Sequence, residues 1–144
     1  MRTLALIAAV GLAVASAACS VDKPDLTLPT TDANVVGSFN LVTADNHLLP
    51  FIAIITSTEA WELDADRIVL ASDNTWVDST AYTVQDLSSS SIGPKVTVAT
   101  GTYAIADGLI TFTKTSGGSG IFTGSVFSNS LAVNSAGKRY LYTR

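Results

Sequence analysis

From Val35 onward, apolar and polar residues alternate with a period of two, in short runs that reach almost to the end of the chain. Phe39 and Leu41 fall on one face of GSFNLV, Ile68 and Leu70 on one face of RIVLAS. Trp76, Tyr82 and Val84 share a face along TWVDSTAYTV, although Asp78 and Thr80 interrupt it. Tyr103 with Ile105, Ile110 with Phe112, Phe122 with Val126, Leu131 with Val133 and Tyr140 with Tyr142 continue the series. Successive side chains of a strand point to opposite sides, so each run predicts a strand with one buried face.

Turn-forming residues separate the runs: Ser72-Asp73-Asn74, Asp107-Gly108, Ser116-Gly117-Gly118, Ser128-Asn129 and Ala136-Gly137. Asp-Gly between alternating runs is a strong hairpin signal, because both central residues of the tight turn need positive φ. Ser88 to Ser91, followed by Gly93-Pro94, marks one longer loop. Many short strands joined by tight turns predict an all-β domain, an antiparallel up-and-down meander of about eight strands. Closure into a barrel is expected because it leaves no unpaired edge. One stretch resists. Ile52 to Ala60 is apolar and then polar, and the phase of Trp61-Leu63 does not continue into Ile68-Leu70. A break, a bulge or a short helix between Leu63 and Arg67 would absorb the slip.

The amino terminus follows another rule. Met1-Arg2 is positive, Leu4 to Val14 is uncharged and apolar, and Ala15-Ser16-Ala17-Ala18 is small, the order of a secretory signal. The run is too short to span a membrane, which takes about 20 apolar residues. Ser16-Ala17-Ala18-Cys19 resembles the lipobox of bacterial lipoproteins, with Ser16 where Leu is usual. The resemblance implies that residues 1–18 are removed and that Cys19 carries the lipid; cleavage after Ala17 is the competing reading. Ser20 rather than Asp after the cysteine points to the outer membrane, facing the periplasm. Residues 19–34, with Pro24, Pro29 and several Asp and Thr, read as a solvated tether. Residues 35–144 then form the domain.

Charge removes one class of function. All twelve acidic residues lie after Cys19, with all the basic ones except Arg2, so the domain is mildly acidic and has no basic cluster. Nucleic-acid binding needs grouped Lys and Arg and is set aside.

Within the domain, Gly37-Ser38-Phe39-Asn40-Leu41 followed by Leu49-Pro50 resembles the opening of small bacterial lipoproteins described as lipocalin-like. Ile68-Val69-Leu70 through Trp76, Gly101-Thr102-Tyr103 with Asp107-Gly108, and the ending Tyr140-Leu141-Tyr142-Thr143-Arg144 are similar to their later strands. The resemblance spans nearly all of 35–144. It implies a lipocalin-like barrel behind a lipid anchor in the cell envelope, and little in the way of catalysis.

The chemistry-bearing residues are few. His47, the single histidine, lies in TADNHLLP and reads as a surface turn residue. With one histidine and one cysteine, no N/S zinc site and no cofactor site is expected. No Gly-x-Ser-x-Gly elbow accompanies His47. Glu59, Glu62, Asp64 and Asp66 read as a solvated acidic rim, with cation binding or a hydrolytic carboxylate pair as the outside readings. The large rings are more suggestive. Phe39, Trp76, Tyr82, Tyr103 and Phe112 are the candidate wall of a pocket for a small apolar ligand or lipid. An eight-stranded barrel can equally be filled by its own side chains, and in so short a domain filling is the simpler expectation. The chain is therefore read as a non-catalytic envelope protein that binds an apolar molecule. The alternative is a structural or protein-interaction module presenting loops 44–50 and 86–95.

Overall fold

A computed structural model of the chain describes residues 35–144. The signal segment, Cys19 and the tether to residue 34 lie outside the described residues. Ten strands follow in order: β1 (Gly37–Ala44), β2 (His47–Leu48), β3 (Phe51–Ile55), β4 (Glu59–Leu70), β5 (Thr75–Asp86), β6 (Ile92–Ala106), β7 (Leu109–Ser116), β8 (Ile121–Phe127), β9 (Ser130–Ser135) and β10 (Lys138–Thr143). From β4 to β10 each strand pairs antiparallel with the next, and β10 pairs with β1. Gly37–Asn40 then pair with Arg67–Leu70 of β4 and close an eight-stranded meander barrel.

The seam is partial. Beyond Asn40, β1 turns away from β4, and the second half of β1 and the first half of β4 take other partners. Thr43 and Ala44 pair with β2, while Phe51–Ile55 pair along Ala60–Leu63. No pairing joins β2 to β3 among the described residues, so these two short strands form the free edges of the sheet. Residues 52–67, unassigned from the pattern, thus contain β3, a turn and most of β4. Thr56 forms the turn, its Oγ1 accepting hydrogen bonds from the backbone N–H of Thr58 (3.3 Å) and Glu59 (2.9 Å). The slip between Leu63 and Arg67 is a β-bulge: Leu63 pairs with Tyr82 and Ala65 with Ala81, leaving Asp64 as the extra residue.

The turns follow their residues. Asp107 and Gly108 have φ of 52° and 76°, and Ala136 and Gly137 have 51° and 76°, the conformation that matches the twist of two-residue hairpins. The longer loop after β5 is tied by Asp86, whose Oδ1 accepts from Ser88 N (2.7 Å), Ser88 Oγ (2.6 Å) and Ser89 N (3.2 Å).

One half of the barrel is solid. Phe39, Leu70, Trp76, Ile110, Phe112 and Leu131 are fully buried there, with Ile68 at the border with the other half. Trp76 meets Phe112 and Phe122 edge-on at 6.0 and 5.4 Å between ring centres, and Phe112 stacks on Phe122 at 4.7 Å. Each such ring removed from water contributes roughly 1.5–3 kcal/mol. Arg144 lays its guanidinium over the Phe39 ring, 4.8 Å from the ring centre.

Candidate functional site

The other half of the barrel is hollow. A cavity of about 1020 Å³ opens there, well above the roughly 300 Å³ at which ligand pockets begin. Its position follows from strand lengths and from the seam. The barrel widens where β1 and β4 part and β2 and β3 are inserted, and β4, β5 and β6 stand taller than β7 to β10. Phe51 and Ala53 of β3 line it on one side, and Thr97 and Ala99 of β6 on another.

The five candidate wall residues divide between the halves. Tyr82 lines the cavity. Phe39, Trp76, Tyr103 and Phe112 are instead packed in the solid half and are not among the lining residues. Their polar tips are spent on structure: Trp76 Nε1 donates to Thr102 O (3.0 Å) and Tyr103 OH to Ala71 O (2.6 Å). Alternation assigns a residue to the inner face but not to a height along the axis. Trp76 and Tyr82 share a face of β5, yet six residues of strand set them roughly 20 Å apart. Phe51, Phe122, Tyr140, Tyr142 and the imidazole of His47 supply the cavity's other rings.

The acidic set is split by the bulge at Asp64. Glu59 accepts from Trp61 Nε1 (2.9 Å), and Asp64 accepts from Thr83 Oγ1 (2.9 Å). Asp66 does not belong to a solvated rim: it is 8% exposed and turned into the barrel. There its carboxylate accepts from Tyr142 OH (2.9 Å) and Thr80 Oγ1 (3.4 Å).

Asp78 joins it from β5. Because Asp66 pairs with Thr80 and Ile68 with Asp78, the two carboxyls are diagonal neighbours on the inner face. Asp78 Oδ1 is buried and has no hydrogen-bond partner among the described residues. Burial, the hydrogen bond to Asp66 and the charge of Asp66 together push the Asp78 carboxyl up to about 8, with Lys114 opposing. The raised Asp78 carboxyl favours a proton shared between the two groups near neutral pH. Around the pair, burial and the Asp66 charge raise the Tyr82, Tyr140 and Tyr142 hydroxyls, which stay neutral, and Tyr142 donates to Asp66.

In the sequence the pair shows only as separate traces, Asp78 interrupting the Trp76–Tyr82 face and Asp66 closing the acidic set. The inward turn of Asp66 was hidden because the bulge reverses the face on which β4 presents its acids. His47, beside the mouth, stacks on Phe51 at 5.2 Å between ring centres. No group of three or more metal-ligating side chains forms among the described residues.

Fold and site together define a closed antiparallel meander barrel, solid at one end and hollow at the other, with a carboxyl pair, Asp66 buried and Asp78 half-buried, in the wall of the hollow. Comparison with protein-family models, with curated proteins and with solved structures finds no match to this chain.

Proposed function

We propose that this protein is a lipid-anchored, non-catalytic component of the bacterial cell envelope whose barrel binds a small, largely apolar molecule. The observation that carries the reading is the cavity, of about 1020 Å³, walled by Phe51, Leu63, Ile68, Tyr82, Phe122 and Val133. Pockets of this size and lining bury most of the surface of a small ligand, and the hydrophobic effect then supplies the affinity. The eight-stranded meander accords with the resemblance to lipocalin-like lipoproteins, and the signal pattern ending at Cys19 supports export and anchoring.

The test is an environment-sensitive apolar fluorophore added to the exported Cys19→Ala protein. Intensity should rise at micromolar concentration and fall when lipid is added in competition. The same substitution should release the protein from the membrane fraction; retention there would refute lipidation at Cys19.

A protein-interaction role is the second reading, favoured by the exposed Ile52, Ile54 and Ile55 on β3 and Ile92, Val96 and Val98 on β6. A protein that takes up no apolar probe would argue for it.

A further inference from the structure

We infer that the molecule held in the barrel carries a positively charged amine, which seats against the Asp66–Asp78 carboxyl pair while its apolar body fills the rest of the cavity. This rests on the ligand-binding reading above and adds the chemistry of the ligand's head.

The pair's position is the first argument. Burying a charge is costly unless it is matched, and a barrel that merely enclosed hydrocarbon would keep carboxyls out of its wall. Here two lie side by side in that wall, among Ile68, Ala99 and Val133. The hydroxyls of Tyr142 and Thr80 both converge on Asp66. Among the described residues Asp78 receives no donor at Oδ1, and the nearby Lys114 only partly offsets the pair's charge. An ammonium group brings both the missing charge and further N–H donors.

The surroundings favour a cation over other heads. Tyr82, Tyr140 and Phe122 bring aromatic rings to the same space, and ring faces attract ammonium groups. A carboxylate head would face the Asp66 charge. A hard metal ion wants six or more oxygen ligands, and no three metal-type side chains cluster among the described residues.

The charged groups around the pair come from several strands. Facing Asp78 are Asp66 on β4, Tyr82 on β5 and Lys114 on β7. From β10 come Tyr140, Tyr142 and, at the exposed rim, Lys138; Asp45 and His47 stand exposed at the mouth near β1 and β2. Lys114 acts on Asp78 from β7, and it only lessens the upward shift. A bound ammonium adds a second positive charge and drives off the shared proton. Binding is therefore coupled to proton release, and affinity rises from pH 6 toward 8.

The experiment compares decylamine, decanol and decanoate, each below its aggregation concentration, by calorimetry on the Cys19→Ala protein at pH 7. Decylamine should bind at least about tenfold more tightly than decanol. Its heat should differ between buffers of low and high ionisation enthalpy, by an amount that corresponds to release of up to one proton. The Asp66→Asn/Asp78→Asn double variant should lose both the preference and the proton. If that variant does not fold, proton release by the parent protein decides alone.

Equal or tighter binding of decanol or decanoate would overturn the amine assignment and leave apolar binding standing. So would an amine preference that survives in a folded double variant. Failure of all three compounds and of the fluorophore would remove the binding reading itself, and this inference with it.

Discussion

Gly101 lies flat beneath the indole of Trp76: a methyl group on its Cα would meet Nε1 at 2.7 Å and Cε2 at 2.8 Å. The contact explains a glycine in the middle of β6, where its lost side chain and chain entropy would otherwise weaken the strand. It lets the largest ring of the solid half rest on backbone while Nε1 reaches Thr102 O. The same methyl would also strike the carbonyl oxygen of Thr113, which has no freedom to move aside. Gly101→Ala should therefore cost about 3 kcal/mol of stability, read from urea denaturation followed by tryptophan fluorescence. A loss below 0.5 kcal/mol would show that the indole does not sit on the strand.

The two halves of the barrel should answer differently to truncation. Phe112 is fully buried between Trp76, Tyr103 and Phe122, so Phe112→Ala leaves a void in packed core and should cost about 4 kcal/mol. Tyr140 is half-buried at the cavity and should cost about 1 kcal/mol on truncation to alanine, since empty space already lies beside it. Comparable losses in thermal unfolding would contradict the division into a solid and a hollow half.

Asp78 makes stability depend on pH in an unusual direction for an acid. Its carboxyl is raised from 3.8 to about 8 in the folded protein, chiefly by burial. Between these values the unfolded chain has released the proton and the folded chain has kept it, so stability is fully present below about pH 4 and falls as pH rises toward 8. Asp78→Asn removes this dependence. Relative to the parent, the variant should gain on the order of 3 kcal/mol on going from pH 5 to pH 8, measured by urea midpoints at the two values. A constant difference between the two proteins would show that Asp78 ionises normally.

Asp86 behaves in the opposite sense. Its hydrogen bonds from Ser88 and Ser89 hold the carboxyl down at about 2, so its contribution is present above pH 4 and lost as pH falls through 2. The bonds organise an exposed turn. Asp86→Ala should speed amide exchange of Ser88 and Ser89 at neutral pH while leaving the melting temperature nearly unchanged. Unaltered exchange at those two amides would show that the backbone bonds from Asp86 N to Ser91 O and from Ser90 N to Asp86 O suffice.

Much of the architecture could be read from residue order because period-two alternation and turn chemistry are local. The Asp107-Gly108 hairpin, the paired faces of Phe39 with Leu41 and of Ile68 with Leu70, and the slip after Leu63 are examples. β3 escaped because both its faces are apolar: Phe51 and Ala53 turn inward while Ile52, Ile54 and Ile55 are exposed on an edge strand, so burial alternates but polarity does not. The cavity wall escaped for a different reason. Whether a ring fills or lines depends on how far along the axis it stands, which is set by register between strands distant in sequence. Tyr142 reaches Asp66 across 76 residues, a meeting that no local pattern announces.

The partial seam bears on what the protein can accommodate. Four residue pairs lock β1 to β4 at the base, whereas the flanks of the neck carry β2 and β3 with nothing laced between them. A vessel built in this way has a rigid floor and a girth that side chains, not ladders, determine. On the proposed reading, bulky and slender guests would share one seat, and discrimination would pass from width to charge.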